Sequence, residues 1–158
     1  MLVGRAPELA AIATAMATAR RGAQRAVHLV GEPGIGKTAL AEQLAVTASG
    51  QGWTVVWGRA WAAEAAPPYW LWQQALGSLA RVTEVSTRLH PATVAWLVDL
   101  VPELAGAGEV APPPALDPDR ARVALHRAVV QVLGAAAADR PLLVVLDDVH
   151  DADPASLV

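Results

Sequence analysis

One glycine-rich segment constrains the fold of this chain more than any other part of its sequence. Its residues are Gly31, Glu32, Pro33, Gly34, Ile35, Gly36, Lys37 and Thr38. They match the pattern G-x-x-x-x-G-K-[ST] at every fixed position. Glycines in this pattern let backbone N–H groups turn toward an anion, and a helix that starts at the lysine adds its positive N-terminal end. The segment therefore predicts a phosphate-binding loop in which Lys37 reaches the phosphates and Thr38 offers a hydroxyl to Mg²⁺.

The residues around the loop follow the order that such a loop requires. Val27 to Val30 predicts a short buried strand, and Lys37 to about Ser49 predicts a helix that ends before Gly50. An earlier helix opens at Pro7 and carries apolar residues at helical spacing. Strand, loop and helix are thus consecutive in the sequence.

The distribution of basic residues singles out the same loop. Of the 12 basic residues, Lys37 is the only lysine and the rest are arginine. A compact ammonium on a flexible stem suits a phosphate inside a tight loop, whereas a planar guanidinium is bulkier. The position of this lysine argues against a glycine-rich turn that merely ends in a surface charge.

A second pattern lies near the end of the chain. Leu142 to Leu146 is a run of apolar residues typical of a strand buried on both faces, and Asp147 and Asp148 follow it. Ligands of open α/β sheets bind at the carboxyl ends of the strands. Asp147 would then hold Mg²⁺ through its water shell, and Asp148 would act as the general base toward the attacking water. Acidic residues also cap buried strands for structural reasons, so this pattern is weaker than the loop.

The middle of the chain predicts mostly helices. The predicted elements are a strand from Trp53 to Trp57, helices from Tyr69 to about Val82 and from Ala92 to Leu104, a loop from Ala105 to Pro118, and a helix from Asp117-Pro118 to about Ala138. Arg59 follows the predicted strand, and we expect it to form an ion pair rather than to bind phosphate. His150 follows the acidic pair, where it either faces a phosphate or is an ordinary exposed histidine.

Composition excludes several classes of function. The net charge is -3, which gives no overall basic field for nucleic acid, and the absence of cysteine excludes disulfides and thiolate metal sites. No secretory signal and no continuous apolar run of membrane-spanning length is present. We therefore expect a cytoplasmic chain that contacts neither a membrane nor nucleic acid directly.

Taken together, these motifs resemble the ATPase domains of signal-transduction NTPases of the AAA/STAND type. Such domains lie at the front of large LuxR-type transcriptional regulators and of some adenylyl cyclases. The segments that carry the resemblance are Leu2 to Arg5 with Glu8-Leu9, Gly31 to Thr38, Pro68 to Trp70 with Trp72-Gln73, and Leu146 to Asp153.

The resemblance implies a fold, a nucleotide and a use. The fold is an α/β P-loop NTPase with three α/β/α layers and a parallel sheet. The nucleotide is ATP with Mg²⁺, and Val3, Gly4 and Arg5 lie near its adenine. The use is regulatory: effector domains, including one that binds DNA, read the nucleotide state, and the domains self-associate with nucleotide. Asp148 stands where AAA enzymes usually carry a glutamate, which implies slow or absent hydrolysis.

The resemblance also implies that the domain is incomplete. The chain stops at Val158, soon after the acidic strand, so residues 1–158 would be the N-terminal part, with a helical insertion at about 62–118. Val27 to Val30 and Leu142 to Leu146 should be parallel but separated, because the strand between them would follow Val158. We expect such a fragment to be marginally stable.

Two other interpretations compete with a regulatory ATP-binding domain. One is an enzyme, either a competent ATPase or a small P-loop kinase in which the two strands lie side by side. A kinase needs a basic lid, and the residues between Thr38 and Asp147 include few arginines and no lysine. The other is an interaction module with a vestigial nucleotide site, against which the retained Lys37 and Thr38 argue.

Overall fold

A computed structural model describes residues 4–61, 67–106 and 109–157. The chain forms two compact units, residues 1–53 and residues 54–158. The glycine-rich loop belongs to the first unit and the acidic strand to the second.

The first unit contains both helices that the sequence predicts there. Helix α1 spans Ala6–Ala19 and has Pro7 in its first turn. Helix α2 spans Lys37–Gly50, directly after the loop. Its buried face consists of Leu40, Ala41, Ala45 and Ala48. These small and unbranched apolar residues recur three to four positions apart, as a helix with one packed face requires.

Two arginines at the ends of α1 connect it to the residues at the two ends of α2. Arg5 donates a hydrogen bond from Nη2 to the carbonyl of Ile35 at 2.6 Å. Arg20 donates from Nη2 to the carbonyl of Gln51 at 2.9 Å, and its guanidinium lies 5.4 Å from the ring centroid of Trp53. The start of α1 therefore lies by the start of α2 and the two ends lie together, so the helices run in the same direction.

The strand predicted at Val27 to Val30 is not formed. Residues 23–32 have no regular secondary structure, and Val27 and Val30 are 51% and 92% exposed. A strand exists only when a neighbour accepts its backbone hydrogen bonds, and residues 4–53 provide two helices but no second extended segment that pairs with it. The prediction of a buried strand at these residues was therefore wrong.

The second unit contains a parallel pair of strands. Strand β1 spans Thr54–Arg59 and strand β2 spans Leu142–Asp147, with Thr54 opposite Leu142 and Arg59 opposite Asp147. In the described part of the chain the sheet has these two strands, so the pairing of Val27 to Val30 with Leu142 to Leu146 expected for a kinase is not observed. The residues of β2 are half-buried rather than fully buried, and Leu142, Val144 and Leu146, which share one face of the strand, pack against the core.

The described residues between β1 and β2 form three α-helices and two short 3₁₀ helices. The α-helices are the larger elements. They are α3 (Trp70–Val82), α4 (Pro91–Leu97) and α5 (Pro118–Ala137). Asp117 caps α5, as predicted, by accepting a hydrogen bond from the N–H of Arg120 at 3.1 Å. The helix predicted over Ala92 to Leu104 is shorter than expected. Proline disfavours helical geometry at the residue before it, and Pro102 starts a separate short 3₁₀ turn, Pro102–Ala105.

The helices and the sheet share one hydrophobic core. Leu76 and Leu79 of α3, Leu97 of α4 and Val132 of α5 are at most 1% exposed, and Val56 of β1 packs into the same cluster. The second unit therefore has a packed core of its own.

Gly58 allows α3 to approach β1 closely. A Cβ atom at this position would lie 2.1 Å from the carbonyl oxygen of Leu71 in α3. No side chain tolerates that distance, so the contact between the helix and the strand depends on the missing side chain at Gly58.

We predict that Gly58→Ala lowers the free energy of unfolding by about 1–3 kcal/mol, because the backbone of α3 must move away from β1. Urea denaturation monitored by circular dichroism measures the change. Gly134→Ala is the matched control: nothing lies within 4 Å of a Cβ built there, and alanine favours the helix interior of α5. An equal effect of both substitutions would contradict the close approach.

Candidate functional site

The glycine-rich loop has the backbone conformation that its sequence predicts. Gly34 and Gly36 adopt φ angles of +75° and +94°, a region in which side chains other than glycine are strained. Gly36 is the N-cap of α2, and no side chain caps the N-terminal N–H groups of that helix. The first-turn N–H groups and the positive end of the helix dipole are thus retained at the loop.

Lys37 folds back over the loop. Its Nζ donates hydrogen bonds to the carbonyls of Gly31 and Glu32, each at 3.0 Å. Within residues 4–61, 67–106 and 109–157, no carboxylate forms an ion pair with this ammonium. The charge of the only lysine is therefore oriented by neutral carbonyls and remains uncompensated.

Arg5 lies beside the loop although 30 residues separate it from Ile35. Besides the hydrogen bond to Ile35, its Nη1 pairs with the Glu8 carboxylate at 2.9 Å. The pKa of Glu8 is lowered by a hydrogen bond from its own backbone N–H and by Arg5. Of the residues expected near the adenine, Arg5 thus contacts the loop and Gly4 has a φ of +82°, while Val3 lies outside the described residues.

At the carboxyl end of β2, an arginine engages the first of the two aspartates. Arg59 donates from Nη2 and Nε to Oδ2 of Asp147, at 2.7 and 3.1 Å. Asp147 is 11% exposed in its side chain, and its Oδ1 accepts the N–H of Asp148 at 3.1 Å. Parallel pairing places Arg59 directly opposite Asp147. The expected ion-pair role of Arg59 is confirmed.

Asp148 adopts an unusual backbone conformation. Its φ is +53° and its ψ is +37°, the left-handed region in which a residue other than glycine is uncommon. Its carboxylate is 42% exposed and lies 3.9 Å from Nε of Arg59. This backbone turns the chain at the end of β2 and leaves the second carboxylate accessible to solvent.

His150 is more exposed than either aspartate. Its side chain is 73% exposed and its Nε2 lies 3.5 Å from Oδ2 of Asp151. Among the described residues of the second unit, no group other than Asp151 pairs with this imidazole.

Sequence reasoning missed the role of Asp153. Its Oδ1 accepts the N–H groups of Tyr69 and Ser156, each at 3.0 Å, and its Oδ2 accepts the Ser156 hydroxyl at 2.6 Å. Trp72 adds a bond from Nε1 to the Ser156 carbonyl at 3.0 Å. Asp153 therefore joins the end of the acidic segment to the start of α3, two regions 84 residues apart. The only signal in the sequence was that both regions belong to the same family resemblance.

These hydrogen bonds control the ionisation of Asp153. Burial raises the pKa of its carboxyl, but the bonds from Ser156 and Tyr69 outweigh burial, and the pKa lies below its ordinary value. A lowered pKa in the folded state stabilises the fold above the pKa of the unfolded chain, and this contribution is lost as the pH falls through the folded pKa.

We predict that Asp153→Asn lowers the free energy of unfolding by about 1–2 kcal/mol at pH 7, because charge-assisted hydrogen bonds are lost. The difference from the wild type should narrow as the pH falls below about 4. Urea denaturation at pH 7 and below about pH 4 measures this difference in the free energy of unfolding. Asp151→Asn, which changes a neighbouring carboxylate, should alter stability by less than about 0.5 kcal/mol. A difference for Asp153→Asn that does not depend on pH would contradict the assignment.

The arrangement of charge in the two units suits different ligands. The loop offers backbone donors and an uncompensated ammonium, which favour an anion such as a phosphate. The end of β2 offers carboxylate oxygens, which favour a hard cation. Among the described residues, no helix is long and apolar enough to cross a membrane.

Comparison with known proteins gives one match. The family model of the AAA ATPase domain matches residues 1–158, the whole of the chain. No curated protein and no solved structure matches it significantly. The helices and the parallel strand pair are consistent with part of a P-loop nucleotide-binding fold.

Proposed function

The chain belongs to the AAA ATPase domain family, and from that premise we propose that it is an ATP-binding regulatory domain of the STAND type. Membership of the family supports nucleotide binding. The regulatory use follows the closer resemblance to domains at the front of LuxR-type transcriptional regulators. In this proposal ATP occupancy is a signal read by effector domains, one of them a DNA-binding domain, and hydrolysis is slow or absent.

One observation carries the proposal: the uncompensated ammonium of Lys37 stands over a loop of backbone donors. Two carbonyls hold Nζ at 3.0 Å each, and no carboxylate among the described residues competes for it. A nucleotide phosphate would replace neutral acceptors with charged ones, which strengthens each hydrogen bond. Gly31 to Thr38 are the residues proposed to hold the phosphates, with Gly4, Arg5 and Val3 on the adenine side.

The residues proposed for Mg²⁺ suit that ion. The described residues contain no cluster of three His, Cys, Asp or Glu side chains. Mg²⁺ bound with a nucleotide needs none, since one or two protein oxygens, phosphates and water complete its shell. Thr38 would supply a hydroxyl and Asp147 a carboxylate, and the bound ion would neutralise charge on the phosphates. Because Arg59 engages Oδ2 of Asp147 directly, contact of Asp147 with the ion through water is the arrangement that keeps this pair.

Asp148 is proposed as the general base if the domain hydrolyses ATP. Its exposed carboxylate can accept a proton from water, while its nearest cation, Nε of Arg59, is 3.9 Å away. An aspartate is shorter than the glutamate usual in AAA enzymes, which favours slow turnover. A long-lived ATP complex suits a regulatory switch better than an enzyme with rapid turnover. In this proposal the domain also self-associates when nucleotide is bound and is located in the cytoplasm.

We predict that Lys37→Ala weakens ATP binding in the presence of Mg²⁺ about tenfold to a hundredfold, because one charge-assisted contact is lost. Isothermal titration calorimetry of the 158-residue chain measures the affinity, and far-ultraviolet circular dichroism verifies the fold. Arg25→Ala removes an exposed cation of the same unit whose one bond is to the adjacent carbonyl of Gln24, and it should leave the affinity unchanged. Equal affinities for all three proteins would refute the proposed site.

We predict that Asp148→Asn preserves ATP affinity and lowers any steady-state phosphate release about a hundredfold, because the amide keeps the shape of the carboxylate without its basicity. Turnover within a factor of about two of the wild type would exclude Asp148 as the base. A wild-type rate on the order of 1 per second or faster would favour the alternative function, a competent ATPase.

A further inference from the structure

A groove in the second unit lies outside the proposed nucleotide site. It runs between α4 and α5 and has a volume of about 690 Å³. This volume is within the range of about 300–1,000 Å³ that small-molecule sites occupy. Part of it is formed by the segment around 62–118, which we propose as an insertion into the ATPase domain.

Apolar side chains form much of the groove surface. Trp96 of α4 and Val123 and Ala128 of α5 line it, and Leu116 lines it just before α5. Leu116 and Val123 are 43% and 47% exposed. An aromatic ring and aliphatic groups side by side provide a surface on which the carbon body of a ligand gains by leaving water.

A buried hydrogen bond fixes the spacing of the two helices. The hydroxyl of Thr93, a residue only 7% exposed, donates to Oε1 of Gln131 at 2.6 Å. The Nε2 group of the same amide carries two hydrogens and makes no hydrogen bond to the described residues. The bond between Thr93 and Gln131 therefore holds α4 and α5 at a fixed spacing, and the Nε2 group of Gln131 remains available as a donor.

Two further residues of the groove lining carry a donor that no described residue accepts. Nδ1 of His90 accepts the N–H of Ala92 at 3.1 Å, so a neutral His90 carries its proton on Nε2. The indole N–H of Trp96 has no acceptor among residues 4–61, 67–106 and 109–157. Together with Gln131, these side chains give the groove an excess of donors over acceptors.

The charged side chains of the groove also favour a ligand that is an anion. Asp119 is the only acidic residue that lines it within the described part of the chain, and it pairs with Arg122 at 3.3 Å, while Arg120 pairs with Asp117 at 3.3 Å. Arg127 also lines the groove and makes no ion pair or hydrogen bond to the described residues. Since the other charges are matched, one guanidinium is left to recognise an anion.

We propose that the groove binds a small amphipathic carboxylic acid, with its carboxylate on Arg127 and its apolar body against Trp96 and Val123. A guanidinium binds a carboxylate through two parallel hydrogen bonds, which Arg127 is free to make. The donors of His90 and Gln131 suit the oxygens of the same ligand. A neutral ligand would offer only uncharged acceptors to these donors, and a cationic ligand would be repelled by Arg127.

The test uses octanoate and its neutral counterpart octanamide as probes of the 158-residue chain. Nuclear magnetic resonance titration follows the indole N–H signal of Trp96, which is identified by its loss in Trp96→Phe. We expect octanoate to shift this signal with a Kd on the order of 1 mM. Octanamide should bind at least about tenfold more weakly, because the charge-assisted contact is missing.

Two variants in the groove and two control variants test whether octanoate binds there. Arg127→Gln should weaken octanoate about tenfold and leave octanamide unchanged, while Arg140→Gln, which removes an exposed arginine of the same unit outside the groove lining, should change neither. Val123→Glu introduces a carboxylate four residues before Arg127, within its reach on the helix, and should abolish octanoate binding. Lys37→Ala should bind octanoate normally, which separates this groove from the nucleotide loop.

Several results would overturn the proposal. They are the absence of a shift up to about 10 mM octanoate, equal affinities for octanoate and octanamide, and equal effects of Arg127→Gln and Arg140→Gln. Sedimentation velocity is measured alongside. A dimer that Val123→Glu dissociates would assign the groove to a second copy of the chain and exclude the small acid.

Discussion

Parallel pairing of β1 with β2 is the constraint on which the second unit depends. Adjacent parallel strands cannot be joined by a hairpin, because the chain must return to the starting edge of the sheet. Here residues 60–141 make that return and carry α3, α4 and α5. The core forms where these helices pack on one another and on β1, and Gly58 sets how near α3 can come. The helical middle of the chain is thus a consequence of strand direction.

The lysine proposed to bind phosphate and the aspartate proposed to bind Mg²⁺ have different kinds of hydrogen-bond partners. In the first unit the ammonium of Lys37 is oriented by carbonyls alone. In the second unit Asp147 is already satisfied by Arg59 and by the N–H of Asp148. A carboxylate that has lost most of its exposure needs such partners, because unpaired burial of its charge is costly. The lysine, which is half-exposed, can keep its charge without one.

Short-range rules predicted the elements whose stability is local. The conformation of Gly34 and Gly36, the start of α2 at Lys37 and the Asp117 cap of α5 each depend on residues within one turn. The strand at Val27 to Val30 failed because a strand depends on a neighbour that its own sequence does not specify.

In the candidate site, too, only the features that depend on neighbouring residues could be predicted from the sequence. The pattern from Gly31 to Thr38 marks the loop, but neither the hydrogen bond from Arg5 to Ile35 nor those of Asp153 can be inferred from spacing. Contacts between residues 30 or 84 positions apart are fixed by packing and topology. Only the tertiary fold shows which polar groups they satisfy.

The ion pair between Arg59 and Asp147 also bears on how the sheet avoids misalignment. Two adjacent valines lie in each strand, Val55 and Val56 in β1 and Val144 and Val145 in β2, so contacts between valines alone distinguish poorly between neighbouring alignments. A slip by one residue would place Gly58 or Ala60 opposite Asp147 and turn every side chain of β1 to the other face. The largely buried carboxylate of Asp147 would then lose its contact with the guanidinium of Arg59. The polar contact at the end of an apolar ladder, together with the close approach of α3 at Gly58, therefore favours the observed alignment over its neighbours.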